Sequence, residues 1–437
     1  MELFLSMNTI NTSNSDLFNI NAIFGYLIVA LMPLSFLGTG VEGSYVYTVN
    51  SMRFYEVIML IYFPFLLIRL ATAKIQIAKI NKLDIFVLGF VYANLIPVIL
   101  SWDLMYYAAR DYRHQLLVPL IAYVLYKMSF SNIQQVVLSV LILVVSVYFQ
   151  LFIVIFHFLT SGTRVVGDTQ FLMLTVPLGV LLSWGAAILL FHRKMLKSRV
   201  RRILETLAIL VLAIGMLANM SRSAIFWFVL FAPLSMKFLK RQWFKNITIL
   251  LFMSGMCIFF TALYTMPTSP LKITSTYGER HSVQRLISPH QFTESALARV
   301  QRWKKCLQHA VKSPIYGKGM AFYHTLELGA AHPHNVYVST LLSSGIIGLT
   351  GLMLVIYHHY SLIFYISKRV PFRSYYFVMG QILFTCFSIL LLVGVTNDFI
   401  GALYPFFFLI LAMGSKTRDL LQIDVEPIGK SLGTGTK

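Results

Sequence analysis

Acidic residues are scarce in this 437-residue chain: 16 Asp and Glu stand against 36 Lys and Arg, and the four types together make up only 12% of it. So little charge, with 57% hydrophobic residues and a mean hydropathy of +0.73, excludes a soluble protein of this length. Cysteine is rarer still. Cys257 and Cys386 fall within apolar runs and only Cys306 lies outside one, which excludes a disulfide framework. There is no fixed-period repeat. No basic region precedes the first apolar run, only polar residues such as Asn8, Asn11, Thr12, Ser13 and Asn14, so that run is expected to be retained rather than cleaved as a signal peptide. The alternating ten-residue segments of a membrane β-barrel are also missing, since runs such as Val136 to Val145 are apolar all round.

What the chain does contain is a series of apolar stretches of roughly 17–25 residues, the length of a membrane-crossing helix. They predict spans near 18–37, 54–73, 84–101, 114–129, 133–158, 170–190, 204–220, 223–239, 246–265, 345–366, 375–395 and 399–414. The fold class read from this pattern is an all-α polytopic integral membrane protein of about 12 helices. Residues 1–265 hold the first nine, 266–334 form one long loop, 335–414 hold the last three, and 415–437 form a tail expected to be disordered.

The basic residues test this topology independently. With both ends in the cytoplasm, the inner segments hold 22 of the 36 Lys and Arg, including Arg193 to Arg202 and Lys237 to Lys245. The short outer loops hold five, Arg53, Arg110, Arg113, Arg164 and Arg222, and nine lie in the loop 266–334. Long loops are largely exempt from the positive-inside rule, so the count supports twelve spans. The net charge of +20 is then mostly a topology signal and does not point to nucleic acid.

The loop 266–334 sets its nine basic residues against Glu279, Glu294 and Glu327, an excess that suits an anionic substrate. Within it, 294–311 reads as an amphipathic helix with Ala296, Val300, Trp303, Leu307 and Ala310 on one face and Arg299, Arg302, Lys305 and His309 around the other. Such a helix either presents arginines to a diphosphate or binds anionic headgroups. In His332-Pro333-His334-Asn335, proline favours the start of a helix, so one is expected to begin near Pro333 with His334 in its first turn. That position favours anions and a neutral imidazole, which can accept a proton from an attacking hydroxyl. Surface or capping roles for the two histidines remain open here. A metal site would need further ligands of matching pattern, and none is nearby. Arg222, in a turn between two spans, and Arg164, ahead of Gly167-Asp168, are further outer-face candidates for gripping a phosphate with a charged fork. Arg110-Asp111-Tyr112-Arg113-His114 is expected outside the third and fourth spans, where Arg–Asp pairing is the simpler reading.

Ala298-Arg299-Val300-Gln301-Arg302-Trp303, Pro314-Ile315-Tyr316-Gly317-Lys318-Gly319, His332-Pro333-His334-Asn335 and Ser344-Gly345-Ile346-Ile347-Gly348-Leu349 follow one another in order. Together they resemble the signature of the O-antigen ligase and polymerase superfamily; Arg164-Val165-Val166-Gly167 and Ser221-Arg222-Ser223 are similar to its earlier basic positions. Gln170 falls where many relatives carry Pro-Asn. The resemblance implies a class C glycosyltransferase-like fold in the bacterial inner membrane. It also implies a glycosyltransferase acting at the periplasmic face on an undecaprenyl-diphosphate-linked glycan donor.

For the site, the resemblance implies His334 as catalytic base, with His332 the alternative. Arg222, Arg299, Arg302 and Arg164 would bind the donor diphosphate, and Asn335 would orient histidine or substrate. No metal or other cofactor is expected, and no outer Asp-x-Asp pair is present. Among relatives the O-antigen ligase, with lipid A–core as acceptor, is favoured over the O-antigen polymerase and protein O-oligosaccharyltransferases. One dominant outer loop before the last three spans and the lack of a large soluble C-terminal domain are the grounds. A lipid-linked glycan flippase, a different class, would concentrate charge near the bilayer midplane.

Overall fold

The apolar runs become helices in the computed structural model, which describes residues 17, 19–33, 36–37, 52–72, 79–100, 105–161, 175–196, 198–218, 289–320, 322, 333, 335–371, 374–396 and 403–432. The helices are α1 (Ile20–Leu31), α2 (Phe54–Ala71), α3 (Lys82–Leu100), α4 (Met105–Tyr112), α5 (Val118–Ser129), α6 (Ile133–Ser161), α7 (Thr175–His192), α8 (Arg199–Ala218), α9 (Pro289–Ala310), α10 (Val336–Arg369), α11 (Tyr375–Thr396) and α12 (Tyr404–Leu432). A short antiparallel pair, β1 (Phe36–Leu37) and β2 (Met52–Arg53), joins the ends of α1 and α2. Among the described residues, four helical segments are long and apolar enough to cross a bilayer: Lys82–Leu100, Ile133–Phe152, Val336–Arg369 and Tyr375–Val395. In hydrocarbon a helix satisfies its own backbone, so such runs have no competing structure. The chain is a nearly all-helical, multi-pass membrane protein.

Local chemistry sets the helix starts. Asn81 and Asp84 cap α3 reciprocally, the Asp84 N–H donating to Asn81 Oδ1 at 3.2 Å and the Asn81 N–H to Asp84 Oδ2 at 2.7 Å. Asn19 caps α1 by accepting from the Ala22 N–H at 2.9 Å. α1 ends at Leu31, short of the expected residue 37, because Pro33 follows closely and has no N–H to continue the ladder.

Two other expectations are revised. Residues 105–129, expected as a loop and then a short span, are helical throughout, α4 passing into α5 through a π-helical turn at Arg113–Leu117. The end after Gly414, expected to be disordered, continues α12 to Leu432, with Ser415, Thr417, Asp419, Leu420 and Leu421 buried. α10 is broken at Gly345, whose φ of 63° and ψ of −159° lie far from helical values. The expected spans 223–239 and 246–265 lie outside the described residues.

α10 runs antiparallel to α3, with Ser344 against Asn94, Gly351 against Phe90, and His358 stacked on Phe86 at 4.0 Å between ring centroids. α11 returns along α10, Tyr360 packing on Phe384 and Phe387, and is itself mostly buried. Polar groups collect at the two ends of this stack. At one end, Lys127 Nζ lies 2.6 Å from Asp84 Oδ2 and 3.0 Å from Asp419 Oδ2. Tyr123 donates to Asp84 Oδ1, as does Ser415 at 2.8 Å, and Asn81 Nδ2 donates to Ser415 and Asp419. Three distant stretches of chain are thereby locked together. The other end carries the first residues of α10 and the Arg110–His114 stretch, whose Tyr112 hydroxyl reaches the Val91 carbonyl at 3.1 Å.

Candidate functional site

The segment from α9 to the break in α10 is built as one unit. α9 turns Arg299, Arg302, Trp303, Cys306, His309 and Ala310 toward the body of the protein: Cys306 and Ala310 are buried, the other four half-buried. Cys306 and Ala310 pack with Leu342, Val338, Leu341 and Phe322. This corrects the amphipathic reading. Val300 and Leu307, read as part of the apolar face, are 52% and 41% exposed, while the arginine-bearing edge is drawn in. The reason is the small volume of Cys306 and Ala310, which lets α10 approach, together with a polar anchor on Trp303. Its indole N–H donates to the Pro333 carbonyl at 2.6 Å.

Beyond α9 the Pro314-to-Gly319 turn acts as a strap across the break in α10. Where a helix breaks, carbonyls on one side and amides on the other lose their partners. The strap supplies both kinds. Lys318 and Gly319 N–H donate to the Leu342 and Ser343 carbonyls at 2.7 and 2.9 Å, and the Ile346 and Ile347 N–H donate to the Pro314 and Ile315 carbonyls at 2.8 and 3.4 Å. Such closeness requires glycine on each side. A Cβ on Gly345 would lie 2.2 Å from the Ile315 carbonyl oxygen, and one on Gly317 would lie 2.5 Å from Ser343 C. Both glycines also have positive φ, 63° and 73°.

Asn335 begins α10. Its Oδ1 accepts from the Tyr337 and Val338 N–H at 2.9 and 3.0 Å, and its Nδ2 donates to the Val395 carbonyl near the end of α11 at 3.0 Å. It is therefore an N-cap that also ties α10 to α11. The helix starts at Val336, with Asn335 as its cap, and not near Pro333. Asparagine caps so well because its short carbonyl reaches the second and third amides, a stronger local signal than the preceding proline.

Of the candidate residues read from the sequence, Arg299, Arg302 and Asn335 are brought to this unit. His332, His334, Arg164 and Arg222 lie outside the described residues. Trp303 was read as part of the apolar face of its helix and of the motif, without a polar partner, and the glycines of the strap and kink were noticed only as a pattern. Positive-φ demand in Gly317 and Gly345 was the available signal for their role.

A second polar group stands at the same end of the protein. Glu56, in the first turn of α2, is buried, with its Oε2 3.4 Å from Arg113 and its Oε1 3.9 Å from His114 Nδ1 on the π-helical turn. Arg110 and Asp111 pair at 3.0 Å, as the sequence led us to expect, and both are buried.

Residues 206–353 match the family model described as O-Antigen ligase, a stretch that takes in α9, the strap, the cap of α10 and the break at Gly345. No curated protein matches the chain. Over these residues the chain is similar to the O-antigen ligase family, which supports the O-antigen ligase superfamily.

Proposed function

We propose that the protein is an O-antigen ligase, an inverting, metal-independent glycosyltransferase. It moves a glycan from undecaprenyl diphosphate to lipid A–core at the periplasmic face of a bacterial inner membrane. In this reading the fold is class C glycosyltransferase-like with about twelve spans, both ends are cytoplasmic, and 266–334 is the periplasmic loop. The buried Asp84–Lys127–Asp419 network then lies at the cytoplasmic ends of α3, α5 and α12.

One observation carries the reading: the Trp303 indole holds Pro333. Trp303 is one helical turn beyond Arg299, about 6 Å of axial rise, and adjoins Arg302, so the helix that carries these cations also holds the residue between His332 and His334. The chemistry follows from that pairing. His334 takes the proton of an acceptor hydroxyl as its oxygen bonds to the anomeric carbon, and the carbon–oxygen bond to the diphosphate breaks on the opposite side. Arg299 and Arg222, assisted by Arg302 and Arg164, receive the charge that develops on the leaving diphosphate. Asn335 is a positioning residue that fixes where the histidine segment enters α10.

The test is transfer by purified protein in chelator, given an undecaprenyl-diphosphate glycan and either lipid A–core or a second lipid-linked glycan. Capping of lipid A–core is the expected result. Extension of the lipid-linked glycan would make the protein an O-antigen polymerase. Transfer to neither would reject both and return protein glycosylation and lipid-linked glycan flipping to consideration.

A further inference from the structure

α3 and α10 touch closely where Gly351 faces Phe90: a Cβ on Gly351 would lie 3.4 Å from the Phe90 Cα. Beside this contact the two helices leave an open slot of about 370 Å³, its wall formed by Phe86, Gly89, Phe90, Ala93, Ile347 and Gly351, with Thr350 the sole polar side chain on it. Gly89 is unusual. Glycine weakens a helix, yet a Cβ placed here meets no atom within 4 Å and its φ is not positive, so neither space nor backbone geometry requires it. Its effect is to leave room on a surface of two membrane-crossing helices.

The slot is continuous with the unit described above. It begins on α10 at Ile346 and Ile347, the residues whose amides the strap holds, and the strap is the direct continuation of the helix that carries Arg299 and Arg302. From there it follows α10 to Leu354, about 12 Å along the helix axis. Beyond it, Phe86 stacked on His358 closes the far end.

We propose that this slot receives the isoprenoid chain of the lipid diphosphate donor, an inference that rests on the transferase reading above. A diphosphate against α9 leaves its chain at the level of the kink, where the slot opens downward into the hydrocarbon. The wall alternates the rings of Phe86 and Phe90 with the gaps at Gly89 and Ala93. Methyl branches of an isoprenoid fill such recesses, and a straight acyl chain does not.

Gly89→Leu and Gly89→Trp fill the slot while adding helix propensity, so both variants are expected to keep the melting temperature of the natural chain. In nanodiscs, their KM for a long-chain polyprenyl diphosphate donor is expected to rise about tenfold, the loss of roughly two buried methylenes. A donor carrying the same glycan on a methyl diphosphate, which has no chain to enter the slot, is expected to be used equally by all three proteins. An unchanged KM for the long-chain donor in both variants would overturn the chain site and leave the transferase reading standing. A photoreactive polyprenyl diphosphate gives a readout independent of turnover. Crosslinks near Ile347 and Thr350 that unlabelled polyprenyl diphosphate displaces, and phosphatidylethanolamine does not, are the expected result. Equal displacement by the phospholipid would assign an ordinary annular lipid and overturn the proposal. Specific displacement without any glycan transfer would discard the transferase reading and keep the slot.

Discussion

Trp303 and Pro333, thirty residues apart, are joined by a 2.6 Å hydrogen bond from the indole N–H to the proline carbonyl. The bond ties the arginine-bearing helix α9 to the segment that enters α10, and it does so through a residue that the sequence pattern places on the apolar face of its helix. Trp303→Phe keeps the ring and removes the donor. Stability is expected to fall by about 1 kcal/mol, the net worth of one hydrogen bond. kcat for glycan transfer is expected to fall at least about tenfold with little change in donor KM, because misplacement acts on geometry and not on affinity. Steady-state kinetics on the purified variant check the split.

His334→Ala is expected to reduce transfer at least about 100-fold at normal protein level, the contribution of a positioned general base. His332→Ala is expected to be milder. Near-normal turnover in purified His334→Ala would remove the base assignment and point to His332.

Arg299→Lys keeps the charge and loses the fork that grips two phosphate oxygens. A loss of about 100-fold is expected, as when a preorganised donor to developing charge is removed. Full activity in the lysine variant would mean that a point charge suffices and that α9 acts on headgroups in general.

Gly345→Ala and Gly317→Ala each force a Cβ into backbone at the crossing of strap and helix. Gly345 has φ 63° and ψ −159°, a region essentially closed to other residues, so a loss of at least about 3 kcal/mol is expected. Both substitutions open the same clamp, so the double variant should cost less than the sum of the two. Fluorescence-detected melting of the detergent-solubilised proteins measures all three.

Lys127→Met leaves Asp84 and Asp419 buried without their shared cation, an expected cost of about 3–5 kcal/mol. Asp84→Asn should cost less in that background than in the natural chain, since its ion pair is already gone. Nearby Lys416, two residues past the expected end of the last span, has its pKa lowered to about 8 from 10.5, chiefly by burial, with Asp419 pushing it up and Lys127 down. A lysine held down in the folded state binds fewer protons there than in the unfolded state between about pH 8 and 10.5. Its penalty is therefore full below pH 8 and is relieved as pH rises through that window. Melting temperature should show this contribution as a rise from pH 7.5 toward 9.5 that Lys416→Met abolishes.

Much of this was legible in the chain. Runs such as Ile133 to Phe152 and Tyr375 to Val395 are so apolar that a helix is their one stable form in hydrocarbon, and the bounds expected for α3, α6 and α11 lie within a few residues of those observed. The order of the motifs from Arg299 to Gly348 was enough to show the resemblance that the family match over residues 206–353 supports. Local competition was harder to read. Pro333 and Asn335 both mark helix starts, and the asparagine side chain decides because it bonds two free amides. Tail residues after Gly414 look polar, yet Ser415 and Asp419 are held in a helix by Asn81, Asp84 and Lys127, more than 280 positions away in the chain.

Composition and periodicity by themselves determined that this is a helical membrane protein, which residues bear its charge, and where its polar motifs fall. Those properties follow from transfer of each segment between water and hydrocarbon, a quantity local to the segment. Tertiary structure alone decided that α9 turns its arginines inward and that a six-residue turn repairs the broken helix at Gly345. It also decided that Gly89 faces empty space between α3 and α10. Each of these depends on which atoms from remote parts of the chain arrive within hydrogen-bond or van der Waals distance, and no stretch of sequence states its partner.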